Sequence, residues 1–254
     1  MVEDNSTFWE HLDELRKVLI RTLFVVFCAT ALSFTFYQDV LTFLTLPLRL
    51  LTEQGQGPWT VTPDHLVVLG PMEGFSTALK ACFWFGLVVS SPVWLWMLFR
   101  FVAPALHRNE KGLVIPVATV CLLFLIMGLI FGFYVAIPLA NQALFAFNGT
   151  VGKNLWTLSL YLDYTVLLLL ANALAFELSA LLFLAVHFGL LSAQWLVEKR
   201  RIMCVVIFII SALLTPPDVF TLFLMAIPLL VIYECIVLYA KWRQPGFNAK
   251  QREI

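Results

Sequence analysis

Acidic side chains in or beside apolar stretches are the residues of this sequence that could do chemistry. Glu177 lies in ANALAFELSALLF, a run with no other charge. An ionised carboxylate at the centre of a bilayer costs about 2.5–3.5 kcal/mol on the insertion scale. The residues alone leave two interpretations open. One is a protonated or hydrogen-bonded packing contact within the chain, and the other is an acceptor for a polar group on a partner helix or for a transported species.

Two further acids, Glu14 in HLDELRK and Glu110 in APALHRNEK, stand among basic residues. Each is either an ordinary surface charge paired with a nearby Arg or Lys, worth about 0–1 kcal/mol, or part of a site for one cationic ligand. Arginine suits such a site, because its planar guanidinium binds a carboxylate through two parallel hydrogen bonds. Composition alone does not decide between these interpretations. Glu234 is expected close to the cytoplasmic interface.

No pattern of residues indicates an enzyme or a cofactor. The sequence has no phosphate-binding GxxxxGK[ST], no zinc-binding HExxH and no GxSxG around a nucleophile. The four histidines fall on different predicted loops and spans, and the five cysteines all lie in apolar runs, so we expect neither a metal site nor a disulfide framework. The formal net charge of zero predicts no nucleic-acid partner.

The elements that position these acids are membrane-spanning helices. Hydrophobic residues make up 61% of the chain and charged residues only 13%, which is more apolar surface than a soluble domain of this length could bury. Long apolar runs predict an all-α membrane protein with one polytopic domain over residues 1–254. The six predicted spans cover about residues 18–37, 75–99, 113–136, 160–188, 202–214 and 219–240.

The distribution of basic residues predicts the orientation of these spans. Thirteen of the 16 Lys and Arg residues fall on one side of the predicted topology. The positive-inside rule makes that side cytoplasmic, so both termini are expected inside. Residues 5–17, ahead of the first span, carry an apolar stripe at helical spacing and are expected to lie on the cytoplasmic surface. The first outer loop is expected to be partly helical.

The last two spans are predicted to form a matched short hairpin. The fifth has 13 apolar residues, and the sixth runs for 15 from Val219 to Tyr233 before meeting Glu234. Between them stands TPPD, whose prolines remove helix donors and disfavour a helical conformation of the preceding residue. Asp218 can cap the helix that follows.

Five motifs, in order along the chain, resemble those of the TatC family, the polytopic core of the twin-arginine protein translocase. They cover most of the sequence, from His11 to Glu234. The motifs are HLDELRK, GPMEGFSTALK, FRFVAPALHRNEK, AFE and LLTPPD. The resemblance implies a glove-shaped, six-helix protein with a concave face and two short final helices. It implies export of folded proteins across the bacterial cytoplasmic membrane, driven by the proton-motive force.

The resemblance also implies which residues bind which partner. Glu14 and Glu110 match the acids that receive the twin arginines of signal peptides, and Phe101, Pro104 and Arg16 are assigned to the same site.

Glu177 matches the acid that meets single-span partners of the TatA/TatB type, and self-association is also expected. Pro47, Pro216, Pro217 and Asp218 match characteristic structural positions. The alternative function is a secondary transporter that uses Glu177 as a proton or ion site, although the internal repeats common in such transporters are not visible.

Overall fold

The described part of the chain is almost entirely helical. The computed structural model describes residues 3–54, 66–102, 114–152, 155–215 and 218–243. Its helices are α1 (Glu3–Thr35), α2 (Tyr37–Gln54), α3 (Glu73–Val89), α4 (Ser91–Val102), α5 (Val114–Phe131), α6 (Ile137–Val151), α7 (Leu158–His187), α8 (Ala193–Glu198), α9 (Arg200–Leu214) and α10 (Val219–Arg243). A π-helical turn, Gly132–Ala136, joins α5 to α6. The all-α prediction is confirmed.

Each predicted span coincides with a helix or a helix pair. Among the described residues, four helical stretches are long and apolar enough to cross a membrane: Leu12–Thr35, Ile115–Val151, Leu158–His187 and Val219–Arg243. Helices α3 and α4 are bent by 54° and together make a fifth candidate. Helix α9 has 15 residues and is the short helix expected for the fifth span.

Three segments differ in extent from their sequence-based estimates. The third span continues through the π turn to Val151, because this turn keeps the helix continuous instead of ending it. The segment over residues 5–17 belongs to the same unbroken helix as the first span. Helix α10 has 25 residues, so the prediction that the last two spans form a matched short pair is wrong for the sixth span; the 15-residue estimate stopped at Glu234, where the helix continues.

The chain divides into two compact units. The first holds residues 1–45 and 68–122, and the second holds residues 46–67 and 123–254. Helices α1, α3 and α4 belong to the first unit, and α6 to α10 belong to the second. The single polytopic domain stays a prediction.

In the first unit, α1 packs on α3 along a narrow seam of small residues. A Cβ built on Gly86 would lie 2.7 Å from the backbone nitrogen of Thr30, so only glycine permits this approach. Cys82 lies 3.6 Å from the carbonyl oxygen of Ser33, and Phe34 meets Phe75 edge to face. The opposite side of α1 exposes large apolar side chains, which is the composition expected of a lipid-facing surface. They include Leu19, Ile20, Leu23, Phe24, Phe27 and Leu32.

The start of α3 explains the GPMEG part of the second motif. The Glu73 carboxylate accepts hydrogen bonds from the backbone nitrogens of Leu69 at 2.6 Å and Gly70 at 3.2 Å. These bonds tie the turn Leu69–Gly70 ahead of the helix to the first residue of α3. The acid therefore fixes the angle at which the chain enters α3.

In the second unit, α7 and α10 form the centre of the apolar core. Alanine and larger apolar residues alternate along both helices, and Tyr233 is fully buried, with its hydroxyl donating to the Leu196 carbonyl at 2.7 Å. Gly128 lets α5 approach α7, since a Cβ there would lie 2.8 Å from the carbonyl oxygen of Asn172.

The π turn sets which face of α6 meets α7. Within it, the backbone nitrogen of Ile137 bonds to the carbonyl of Gly132, five residues earlier, in place of the usual four. Ile137, Ala140 and Asn141 beyond it are fully buried, and Ile137 and Ala140 cluster with Leu168 of α7. The extra residue therefore aims this face of α6 into the unit.

Candidate functional site

The amino-terminal acid of the predicted signal-peptide site lies on an exposed helix surface. Glu14 and Arg16 are both exposed on α1, and Leu15 between them is half-buried. Residues two apart on a helix do not face each other, so Arg16 does not share the face of Glu14. Glu14 is therefore accessible to a cationic ligand from solution.

Most of the second part of that predicted site lies outside the described residues. Phe101 is half-buried near the end of α4, whereas Pro104 and Glu110 fall in the stretch between α4 and α5 that is not described. Whether Glu14 and Glu110 share one ligand therefore stays a prediction.

Glu177 stands within an exposed stripe of leucines on α7. The side chain is half-buried, and its Oε1 atom is shielded from solvent. Leu174 and Leu181, three residues before it and four after it, are 54% and 52% exposed, and the adjacent Leu178 is 46% exposed. A carboxylate in such an apolar stripe is costly without a polar contact, and the position is compatible both with a contact inside the second unit and with a partner helix.

An apolar cavity of about 260 Å³ lies beside this stripe. Helices α7, α9 and α10 form its walls, and Glu177 is not among the residues that line it. On α7 the lining residues are Ala175, Leu178, Ser179 and Leu182. Because the Ser179 hydroxyl bonds back to the Ala175 carbonyl at 3.1 Å, the cavity lacks a free hydroxyl from this residue.

The predicted cap at the start of α10 is confirmed. Asp218 accepts hydrogen bonds from the backbone nitrogen of Thr221 at 2.7 Å and from its hydroxyl at 2.5 Å. Helix α9 ends at Leu214, and Thr215 is extended, as expected for a residue before proline. Pro216 and Pro217 themselves lie outside the described residues.

Pro47 lies inside a helix. It is buried within α2, where it deprives the Phe43 carbonyl of its usual helical donor. The Thr45 hydroxyl bonds to the carbonyls of Leu41 at 3.0 Å and Thr42 at 3.1 Å in the turn ahead of it. The stretch between the first two predicted spans is thus partly helical, as predicted.

Two polar contacts link helices of the second unit, and sequence reasoning missed the second of them. Glu234, within α10, pairs with Arg200 at the start of α9 at 2.6 Å.

The missed contact joins the end of α7 to the end of α10. Arg243 donates to His187 Nδ1 at 2.6 Å and to the Tyr239 hydroxyl at 2.9 Å, and that hydroxyl lies 2.8 Å from His187 Nδ1. The sequence did contain a signal for this contact. Tyr239 and Arg243 are four residues apart near the end of one span, and His187 lies at the end of another.

The arrangement provides surfaces for binding, and no group for covalent chemistry is assembled in the described ranges. No cluster of three His, Cys, Asp or Glu side chains that could hold a metal ion occurs among those residues. None of the five cysteines, all of which lie in the described ranges, forms a disulfide. Cys82 and Cys121 are buried, whereas Cys28 and Cys235 are exposed.

A family model and several curated proteins match this chain over most of its length. The model of the Sec-independent protein translocase protein (TatC) matches residues 10–228. The TatC protein of Desulforapulum autotrophicum is 32% identical over 239 residues, which cover 94% of this chain and 86% of that protein. The TatC protein of Carboxydothermus hydrogenoformans is 29% identical over 254 residues, covering all of both chains. That of Escherichia coli K12 is 32% identical over 242 residues, covering 95% of this chain and 90% of its own.

Two crystal structures share the fold. Both are of a twin-arginine translocase receptor, TatC, one of them in the detergent DDM. The first has a TM-score of 0.73 at 29% identity and covers 91% of this chain and 98% of its own. The second has a TM-score of 0.74 at 28% identity and covers 91% and 99%. The all-helical, six-span membrane fold predicted from the sequence agrees with these matches.

Proposed function

This chain belongs to the TatC family of Sec-independent protein translocase proteins and is a receptor subunit of the twin-arginine translocase, and from that premise we propose that Glu14 and Glu110 together bind the arginine pair of signal peptides on folded cargo. It is a multi-pass protein of a bacterial membrane and not an enzyme. Family membership favours this function over a secondary transporter built around Glu177.

The exposure of Glu14 is the observation that carries the proposal. Its carboxylate stands on α1, near the start of the candidate span Leu12–Thr35, and is exposed to a ligand arriving from solution. A guanidinium held at the membrane surface is partly desolvated, so each charge-assisted contact is worth about 1.5–3 kcal/mol, more than an exposed pair. Arg16, on another face of the helix, is suited to donate to peptide carbonyls but not to meet the arginines.

Peptide binding tests this assignment directly. Matched signal peptides carrying Arg-Arg or Lys-Lys are titrated into wild type, Glu14→Gln and Glu110→Gln. We expect each variant to weaken Arg-Arg binding by roughly 10- to 150-fold. The preference for Arg over Lys should shrink, because lysine lacks the bidentate fork.

Asp13→Asn is the matched control, since Asp13 is an exposed acid on the neighbouring helix face. It should bind both peptides as wild type does. If Glu14→Gln and Glu110→Gln also behave like wild type, the two carboxylates are ordinary surface charges and the assignment is wrong.

The orientation follows as part of the same proposal, with both termini in the cytoplasm. Thirteen of 16 basic residues support it through the positive-inside rule. Single cysteines introduced at Gln54 and Gln251, in a background without the five native cysteines, should react with impermeant reagents from opposite sides of the membrane. Labelling of both from one side contradicts the orientation.

The proposed partner site is the leucine stripe around Glu177. A single-span helix of the TatA/TatB type that brings a polar side chain could contact the Glu177 carboxylate while covering Leu174, Leu178 and Leu181. A photo-crosslinker at Leu181 should capture this partner in wild type and in Glu177→Gln, but much less in Glu177→Ala. Equal capture in all three proteins would show that the acid plays no part in docking.

A further inference from the structure

A group of buried polar side chains lies between α6 and α7, away from the acids discussed above. Asn141 and Thr165 are fully buried, and Tyr161 is 3% exposed. Neither polar atom of the Asn141 amide has a hydrogen-bond partner among the described residues, and the same is true of the Thr165 and Tyr161 hydroxyls. Buried polar groups in proteins are almost always hydrogen-bonded, to protein or to ordered water, so these atoms require a partner.

The geometry suggests which kind of partner it is. The Tyr161 hydroxyl lies within reach of weak hydrogen bonds to the side chains of Thr165 and Asn141, but none of these contacts has good hydrogen-bond geometry. Polar groups that converge without well-formed hydrogen bonds are commonly bridged by a water molecule. Together the three side chains supply both donors and acceptors, and an internal water typically makes about three such bonds.

A cavity gives access to this group. It has a volume of about 200 Å³ and lies between the end of α6 and the start of α7. Tyr161 lines the cavity and also belongs to the buried polar group, so it separates the two. Asn148, Thr157 and Tyr164 add polar atoms to the wall, and the volume is enough for several waters.

From these observations we propose that Asn141, Tyr161 and Thr165 form an internal water-binding site, which exchanges with the outside through the cavity over Tyr161. Water fits better than a metal cation such as Na⁺, because the three side chains are neutral and bring no charge to balance an ion. The π turn is part of this site, since it is the element that turns Asn141 towards α7.

Hydroxyl-radical footprinting detects such water, because radicals generated from ordered water label the side chain beside it. Phe176 of α7 is the matched baseline, as it is 4% exposed against 3% for Tyr161 but packs among apolar groups. In the full-length protein in detergent, Tyr161 should be labelled well above Phe176. In the double variant Asn141→Leu, Thr165→Val the label on Tyr161 should fall to the Phe176 level.

A dry polar group would give the opposite results. If Tyr161 is labelled no more than Phe176, or equally in wild type and the double variant, the water site is refuted. Thermal unfolding adds an independent readout. Asn141→Leu and Thr165→Val should each lower the unfolding midpoint by roughly 2–4 °C if they bind water, whereas removing unsatisfied polar atoms would raise it.

Replacing Na⁺ by choline distinguishes the two occupants. Unchanged labelling and an unchanged unfolding midpoint support water. A loss of stability on removal of Na⁺, abolished in the double variant, would assign a cation instead and overturn the proposal.

Discussion

Helices α1 and α7 both pack against a neighbour through a glycine, but they differ in how much of their surface is buried. From residue 12 onward, α1 buries only Val26 and Ser33, and its contact with α3 depends on Gly86. Helix α7 is buried along several faces by α6, α9 and α10, and by α5 at Gly128. One long helix is thus held along a single seam, and the other by a whole core.

The difference separates two ways of presenting a functional acid. Glu14 lies on the helix that the protein covers least, where any neighbour is a ligand, lipid or solvent. Glu177 lies on the helix that the protein covers most, within its one exposed stripe of leucines. A substitution in the α1–α3 seam should therefore lower the stability of the protein sharply, whereas a substitution in the core around α7 should lower it less.

Gly86→Ala should have the largest effect. The new Cβ would lie 2.7 Å from the nitrogen and 2.9 Å from the Cα of Thr30, and backbone atoms cannot move without shifting α1. We expect about 1–3 kcal/mol of overpacking, more than the 0.5–1 kcal/mol that alanine gains over glycine in a helix. Unfolding of the purified protein in detergent measures the net loss.

Gly74→Ala is the control for this seam, because it lies on the same helix and a Cβ there meets no atom within 4 Å. It should be neutral or slightly stabilising. A Gly86→Ala protein as stable as Gly74→Ala would mean that α1 is not held by this contact.

Gly128→Ala should destabilise less, because α7 keeps its many other contacts. The Cβ would lie 2.8 Å from the Asn172 carbonyl oxygen and 3.0 Å from Phe176 Cβ. Gly132→Ala is the graded control, since its nearest contact is the end of the Leu169 side chain at 3.3 Å, which can move. The expected order of unfolding midpoints, from lowest to highest, is Gly86→Ala, Gly128→Ala, Gly132→Ala; the reverse order would contradict the comparison.

Asp218→Ala tests a single local contact at the edge of the core. Loss of a helix cap typically costs about 1 kcal/mol, and Asp218 supplies two hydrogen bonds to Thr221. Asp218→Asn keeps an acceptor oxygen and should retain most of the stability. Equal unfolding midpoints for the Ala and Asn variants would show that capping is not the role of this side chain.

The pair of Arg200 and Glu234 should have the smallest effect. Both side chains are substantially exposed, at 40% and 48%, so their contact is worth about 0–1 kcal/mol in water. A double-mutant cycle with Arg200→Gln and Glu234→Gln measures the coupling, which should shrink further at high salt. A coupling that survives 1 M salt would indicate that lipid shields the pair from solvent.

Local and compositional features of this molecule could be predicted from its sequence. The spans follow from composition, and the Asp218 cap follows from residues three positions apart. The face on which Glu177 lies could not be predicted, because α7 is apolar on every side and so lacks the periodicity that distinguishes a buried face. The pairing of Glu14 with Glu110 remains a prediction.

Contacts that depend on long-range packing escaped the sequence analysis. His187 and Arg243 are 56 residues apart and meet only because α7 and α10 end side by side. The π turn left no recognisable mark either, since one added residue changes the helix register without any required residue type. Nothing in the sequence therefore distinguishes Asn141, beyond the predicted third span, from an ordinary polar residue.

The continuous helix Ile115–Val151 and the short helix α9 fit bilayers of different thickness. The first has 37 residues, about 55 Å of helix, and even at a 40° tilt it rises about 42 Å. Helix α9, with 15 residues, reaches only about 22 Å, against a hydrocarbon thickness of about 30 Å. No single bilayer matches both, so thicker lipids would relieve one helix while straining the other. The acyl-chain length of the surrounding lipids should therefore tune this protein in both directions, with an optimum at intermediate thickness.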